Sequence, residues 1–146
     1  MQRAVLPQTW TLSLDCFPVY AGPVWLLRPP VTSITTLKYM QASDGALTTL
    51  AGTEYAFSSS TDYAGLVVPA YDKVWPATRA FTDAVQIAFV TGYPTAAEVP
   101  EEIKAWIKLR IGSLYANRES WTSGRGNLSP NEHIDGLLAP YIMSVL

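Results

Sequence analysis

The order of its segments places this chain in the α+β class: strand patterns fill the first two thirds, one long helical pattern follows, and a short apolar segment ends it. Three observations carry the assignment. Residues 9–16 (TWTLSLDC) and 83–93 (DAVQIAFVTGY) alternate apolar and polar positions with the period of a half-buried strand. Residues 99–119 (VPEEIKAWIKLRIGSLYANRE) carry apolar side chains at helical spacing. Between the strand patterns, Gly, Pro and Asp-Gly punctuation marks short turns suited to antiparallel neighbours.

In chain order, residues 1–7 have no pattern of their own. Residues 9–16 form the first strand, with Trp10, Leu12, Leu14 and Cys16 on one side and Thr9, Thr11, Ser13 and Asp15 on the other. Cys16 is expected to be a small buried hydrophobe. Phe17-Pro18 ends this strand, and residues 24–27 are a short apolar run. Arg28-Pro29-Pro30 is a rigid break, because proline cannot donate to a ladder. Residues 32–41 (TSITTLKYMQ) are rich in β-branched side chains and read as a second good strand. Ser43-Asp44-Gly45 turns it into a return strand over 46–50, with Gly45 available for a positive φ. Residues 55–58 and 65–69 are two further short strands, and 59–64 is a loop. An irregular stretch over 70–83 holds Trp75-Pro76, where Trp75 is open to a core or a contact role. In residues 83–93, Val85, Ile87 and Phe89 alternate against Ala84, Gln86 and Ala88.

Pro100 suits the first helical position, where its missing N–H costs nothing, and Glu101 and Glu102 favour the positive end of the helix dipole. At 100° per residue, Ile103, Trp106, Ile107, Ile111 and Leu114 share one broad face expected to meet the core. Arg110 projects from the middle of that stripe, with Asn117 and Arg118 near the same line. Either it snorkels or pairs with a carboxylate such as Asp83 or Asp15, or its face meets another subunit. A second face of Ala105, Leu109, Gly112 and Ala116 is small enough for another backbone to approach closely. Residues 120–130 read as a flexible polar loop. The reading therefore has one domain over 1–119, with a β-module at 8–93 and a helix at 99–119, followed by a loop and arm over 120–146.

The composition excludes some functions. A formal charge of −2 with no basic cluster argues against tight nucleic-acid binding, which rests on Lys and Arg meeting phosphates. No apolar run is long enough to span a membrane, and residues 1–10 lack a signal-peptide core. Synthesis in the cytoplasm is expected. His133 is the only histidine and Cys16 the only cysteine, so zinc sites and Cys–His dyads find few partners. Glu101 and Glu102 are adjacent on a helix and point about 100° apart, which suits the dipole and not paired acid–base work. Ser123-Gly124-Arg125-Gly126 has no following Lys-Ser/Thr and is not a phosphate cradle. No enzyme, cofactor or metal is expected.

Seven short motifs in order carry a resemblance. They are Gln8-Thr9-Trp10-Thr11-Leu12 with Asp15-Cys16-Phe17-Pro18; Leu27-Arg28-Pro29-Pro30 with the strand over 33–39 and Asp44-Gly45; Trp75-Pro76-Ala77-Thr78-Arg79; and residues 85–93 ending in Thr91-Gly92-Tyr93. Val99-Pro100-Glu101, Tyr115-Ala116-Asn117-Arg118-Glu119 and Leu137-Leu138-Ala139-Pro140-Tyr141 complete the set. Together they resemble the head–tail connector family of tailed bacteriophages, also called adaptor or head-completion proteins. The resemblance implies a structural subunit of the virion neck that forms a ring, a dodecamer by family resemblance, between portal protein and a stopper or tail-terminator protein. DNA passes through without specific binding. Members usually begin with two helices ahead of the first strand, whereas this chain starts almost at that strand, by trimming or by loss.

With that role, Ala105, Leu109, Arg110, Gly112, Ala116 and Arg118 become the expected subunit or partner interface. Ile134, Leu137, Leu138, Tyr141 and Ile142 make an unusually apolar terminus, read as a docking arm or as a segment folded back on its own domain. The alternative function is a carbohydrate- or cell-surface-binding β-module, which needs exposed aromatics aligned on one sheet face.

Overall fold

The computed structural model describes residues 3–59, 64–116 and 136–141. Its strands are β1 (Gln8–Leu14), β2 (Val24–Leu26), β3 (Val31–Met40), β4 (Leu47–Thr49), β5 (Tyr55–Ser58), β6 (Gly65–Pro69) and β7 (Val85–Thr91), followed by the helix α1 (Glu101–Ala116). The α+β class is as expected, and the strands fall within about two residues of their sequence patterns. Residues up to Thr95 form one compact unit and those from Ala96 onward another.

The strands of the first unit make two antiparallel sheets, one ordered β1-β7-β3-β4 and the other β2-β6-β5. β7 is central because its sequence has the cleanest alternation: Val85, Ile87, Phe89 and Thr91 are all buried. On one side β7 pairs β1 in unbroken register, with Trp10 opposite Phe89 and Leu12 opposite Ile87. On the other it pairs β3, with Leu37 opposite Ile87, and two register shifts let the ten-residue β3 follow the shorter strand. The second sheet adds Val24, Leu26 and Val67 to the same core, which Phe17 and Trp75 close from the loops. Burying each such aliphatic side chain stabilises the unit by about 1.5–3 kcal/mol.

Residues 3–7, patternless in sequence, are pinned in the structure. The Ala4 N–H donates to the Pro29 carbonyl at 3.1 Å, and an Arg3 guanidinium N–H reaches the Tyr93 hydroxyl at 3.5 Å. They cross β7 at Gly92 (φ 101°), where any Cβ would collide with the Leu6 carbonyl. The Gly92 N–H donates to Pro30 and its carbonyl accepts from the Thr32 hydroxyl, so one glycine ties the N-terminal segment, β3 and β7.

At the predicted turn, Gly45 has φ 75°, its N–H donates to the Gln41 carbonyl, and the Ala46 N–H donates to Asp44 Oδ1. The Arg79 side chain lies against it, with Nη1 2.6 Å from where a Cβ would sit.

One expectation needs correction. Cys16 is exposed, not buried, because β1 ends at Leu14 and the alternation that pointed residue 16 inward stops there.

Gly45→Ala should cost about 1 kcal/mol or more, since both the left-handed backbone and Arg79 resist the methyl group. Gly92→Ala should cost distinctly more, because its obstacle is backbone and not a flexible side chain. Urea denaturation of the two variants would rank them, and equal midpoints would overturn the account of Gly92.

Candidate functional site

α1 begins as its sequence directs. Pro100 precedes it and its carbonyl accepts from the Ile103 and Lys104 N–H groups, while Glu101 and Glu102 occupy the first turn. Val99 and Ile103 are buried, and Ala105, Trp106 and Ile107 are half-buried. Beyond that the apolar residues are open: Leu109 is 49% exposed, Ile111 61%, Leu114 59% and Tyr115 72%. This corrects the expected core-facing stripe, of which Ile111 and Leu114 were part. Only the first two turns of the helix are covered.

The predicted interface residues separate accordingly. Leu109, Arg110 and Gly112 are exposed, and a Cβ on Gly112 would meet nothing within 4 Å. Ala116 closes the helix, and Arg118 lies outside the described residues. The carboxylates considered as partners for Arg110 have their own geometry: the Asp83 N–H donates to Asp15 Oδ1 at 3.1 Å, with both residues exposed.

Of the predicted arm, Ile134 and Ile142 lie outside the described residues, as do the loop over 120–130 and His133. Leu137 is half-buried and Leu138 buried, and Ala139–Tyr141 form a short turn. The Tyr141 hydroxyl donates to Glu102 Oε2 at 3.1 Å, so this turn is held to the first turn of α1.

Beside it, Lys104 Nζ donates to Glu101 Oε1 at 2.7 Å and reaches the Ala97 carbonyl at 3.3 Å. The hydrogen bond and charge of Lys104 hold the Glu101 carboxyl below its ordinary range. Among the described residues no group of three His, Cys, Asp or Glu side chains could hold a metal ion, and no helix is long and apolar enough to cross a membrane.

Sequence reasoning did not find a groove in the first unit. The Phe17 and Trp75 rings stack at 4.5 Å with an interplanar angle of 1°, and the Trp75 indole N–H donates to the Gly22 carbonyl at 2.9 Å. Around this stack residues 17–21 and 74–78 wall an open groove of about 570 Å³. A signal was present: Phe17-Pro18 and Trp75-Pro76 are both aromatic–proline pairs in irregular segments.

Two antiparallel sheets around one core, and a separate helical unit with an uncovered helix end, define the architecture. The same architecture occurs in a chain of the virion of a native gene transfer agent particle, at 17% identity and a TM-score of 0.74, over 99% of this chain and 70% of that one. A chain from the neck of the native particle, computed with C12 symmetry, matches at 17% identity and a TM-score of 0.70, over 99% of this chain and 75% of that one. One from the neck of the empty particle, computed with C6 symmetry, gives 17% and 0.69, over 99% and 70%. No family profile matches the chain, and no curated protein does. The fold is thus that of a chain built into gene transfer agent particles.

Glu101 should titrate below an ordinary glutamate in the folded protein. The stabilisation from its pairing is then complete above the unfolded carboxyl range and is lost as pH falls through the depressed value. Lys104→Met should return the Glu101 pKa to the ordinary range in an NMR titration of side-chain carboxyls. An unshifted titration in the variant would mean that Lys104 is not the cause.

Proposed function

We propose that this chain is a structural subunit of the neck of a tailed phage or phage-like particle. In this reading it is an adaptor whose copies ring the passage between portal and tail, in the virion, and let DNA through without gripping it. The observation that carries the reading is the fold shared over 99% of the chain with chains of gene transfer agent particles, two of them in necks computed with C6 and C12 symmetry. The exposed outer half of α1 supports it: Leu109, Ile111, Leu114 and Tyr115 form an apolar end of the kind that interfaces cover. The charge of −2 supports it as well, since each Lys–phosphate contact would add affinity that a conduit must avoid. Catalysis has no part in this role.

A glycan-binding module is less well supported. Among the described strand residues, the exposed aromatics are Trp10 on β1 and Trp25 on β2, one on each sheet, and Arg28 stacks 3.9 Å over the Trp10 ring.

The C-terminal arm belongs to the proposal in a narrowed form. Tyr141 holds the segment to α1 and Leu138 is buried, leaving Leu137 and residues beyond the described turn to reach the portal or the next neck protein.

Sedimentation velocity, alone and with a portal ring, tests the proposal: assembly into a ring or on the portal is expected, and a chain that does neither is not an adaptor. Gly112→Leu should block assembly while leaving the fold intact, because its Cβ points into open space and leucine is the better helix former by about 0.5–1 kcal/mol. Normal assembly of that variant would remove this face of α1 from the interface. Truncation before Asn127 should abolish portal binding, whereas Tyr141→Phe should cost about 1 kcal/mol or less and leave binding unchanged. Portal binding by the truncated chain would end the docking role of the arm.

A further inference from the structure

The groove walled by residues 17–21 and 74–78 is open to solvent, although the stacked Phe17 and Trp75 rings themselves are buried in the core. On its rim Tyr20 is fully exposed, Val19 75% exposed and Val74 77% exposed. The rim is also held in an unfavourable backbone conformation. Tyr20 and Ala21 both have φ 56°, and Asp72 beside Val74 has φ 59°. Left-handed backbone costs free energy for residues other than glycine, least for Asp and Asn. A tyrosine held there at full exposure gains no burial within its own chain. Strain kept without an internal return is a feature of surfaces that act on something else.

Charge indicates what that something is. Asp15 lies two residues before Phe17, Asp72 two residues before Val74, and Asp83 is hydrogen-bonded to Asp15; all three are exposed. Of the cations nearby, Lys73 is paired with Glu54 at 3.3 Å and Arg79 lies over the Gly45 turn. The groove is therefore apolar within and acidic at its flanks. The outer half of α1 has the opposite character: Leu109, Ile111, Leu114 and Tyr115 are exposed beside Lys108 and Arg110, and residues 103–116 contain no acidic side chain. Two copies of that helix end would meet with like charges, which disfavours a symmetric helix-to-helix contact. A helix end and a groove on the same chain are unlike surfaces, and their pairing is head-to-tail, closing into a ring when the rotation allows.

We propose that the groove walled by residues 17–21 and 74–78 receives the outer half of α1 from a second copy of this chain, with Lys108 and Arg110 set against Asp15, Asp72 and Asp83. The inference rests on the ring reading above and adds to it the acceptor surface.

Two blocked proteins test it. Tyr20→Asp with Val74→Asp closes the groove, and aspartate tolerates the left-handed position of Tyr20. Leu109→Asp with Leu114→Asp closes the helix end. All four positions are exposed, so each protein should keep its thermal midpoint. Mass photometry of the chain, alone or on the portal ring, should show assembly for the unaltered protein and loss of copy-to-copy association for each blocked one. An equimolar mixture should then yield a dimer and nothing larger, since one open groove and one open helix end remain. Separately, Asp72→Arg and Arg110→Asp should each weaken assembly and together, in one chain, restore it. Unimpaired assembly of the groove-blocked protein would overturn this inference and leave the ring reading standing. So would a mixture that gives no dimer although the unaltered chain assembles. An unaltered chain that stays single in both settings would overturn both.

Discussion

The first unit depends on one strand being paired on both sides and buried on alternate positions. β7 holds β1 on one edge and β3 on the other, its inward residues Val85, Ile87 and Phe89 meet the core shared with the second sheet, and Thr91 is buried at its end. Gly92 extends that role past the strand's end. Its missing side chain lets the N-terminal segment cross, and its two backbone groups bind Pro30 and Thr32. A strand with so many obligations has little freedom in register, because a one-residue slip would turn Val85, Ile87 and Phe89 outward.

Most of this was legible, because the signals were local. Alternation gave β1 and β7, Asp44-Gly45 gave the turn with its positive φ, and Pro100 with two glutamates gave the helix start. The unread parts depend on contacts distant in sequence. Nothing in residues 3–7 indicates that they are fixed by Pro29, Leu6's crossing of Gly92 and Tyr93. Helical periodicity predicted an apolar stripe on α1 but cannot say how much of it is covered, and Ile111 and Leu114 proved to be outside. Cys16 failed for a similar reason, since an alternating pattern does not announce where pairing stops. The groove arose from two segments more than fifty residues apart, joined by the stack of Phe17 on Trp75.

The helical unit and the β-unit divide the work unevenly. Among the described residues most buried apolar side chains belong to the β-unit, in its strands and in the loops that carry Phe17 and Trp75, whereas α1 leaves four large apolar residues exposed. A helix of its length gains little stability from backbone propensity alone, and its first two turns, with the Tyr141 contact at Glu102, supply what packing the described residues show. An outer half so placed loses nothing internal when it is covered by another surface.

The edge of the larger sheet bears on the life of the chain before it meets any other molecule. Among the described strands β1 is bonded on one side only, and seven residues without a charge leave their outer N–H and C=O groups open. Such a border is a template for unwanted cross-β growth. Here it is short of ideal for that purpose: Pro7 stands at its entrance, Arg28 sits on Trp10, and polar Thr9, Thr11 and Ser13 occupy one side. The other free borders, at β4, β2 and β5, are only three or four residues long. The rim of the larger sheet is thus blunted against indiscriminate strand addition by its own chemistry.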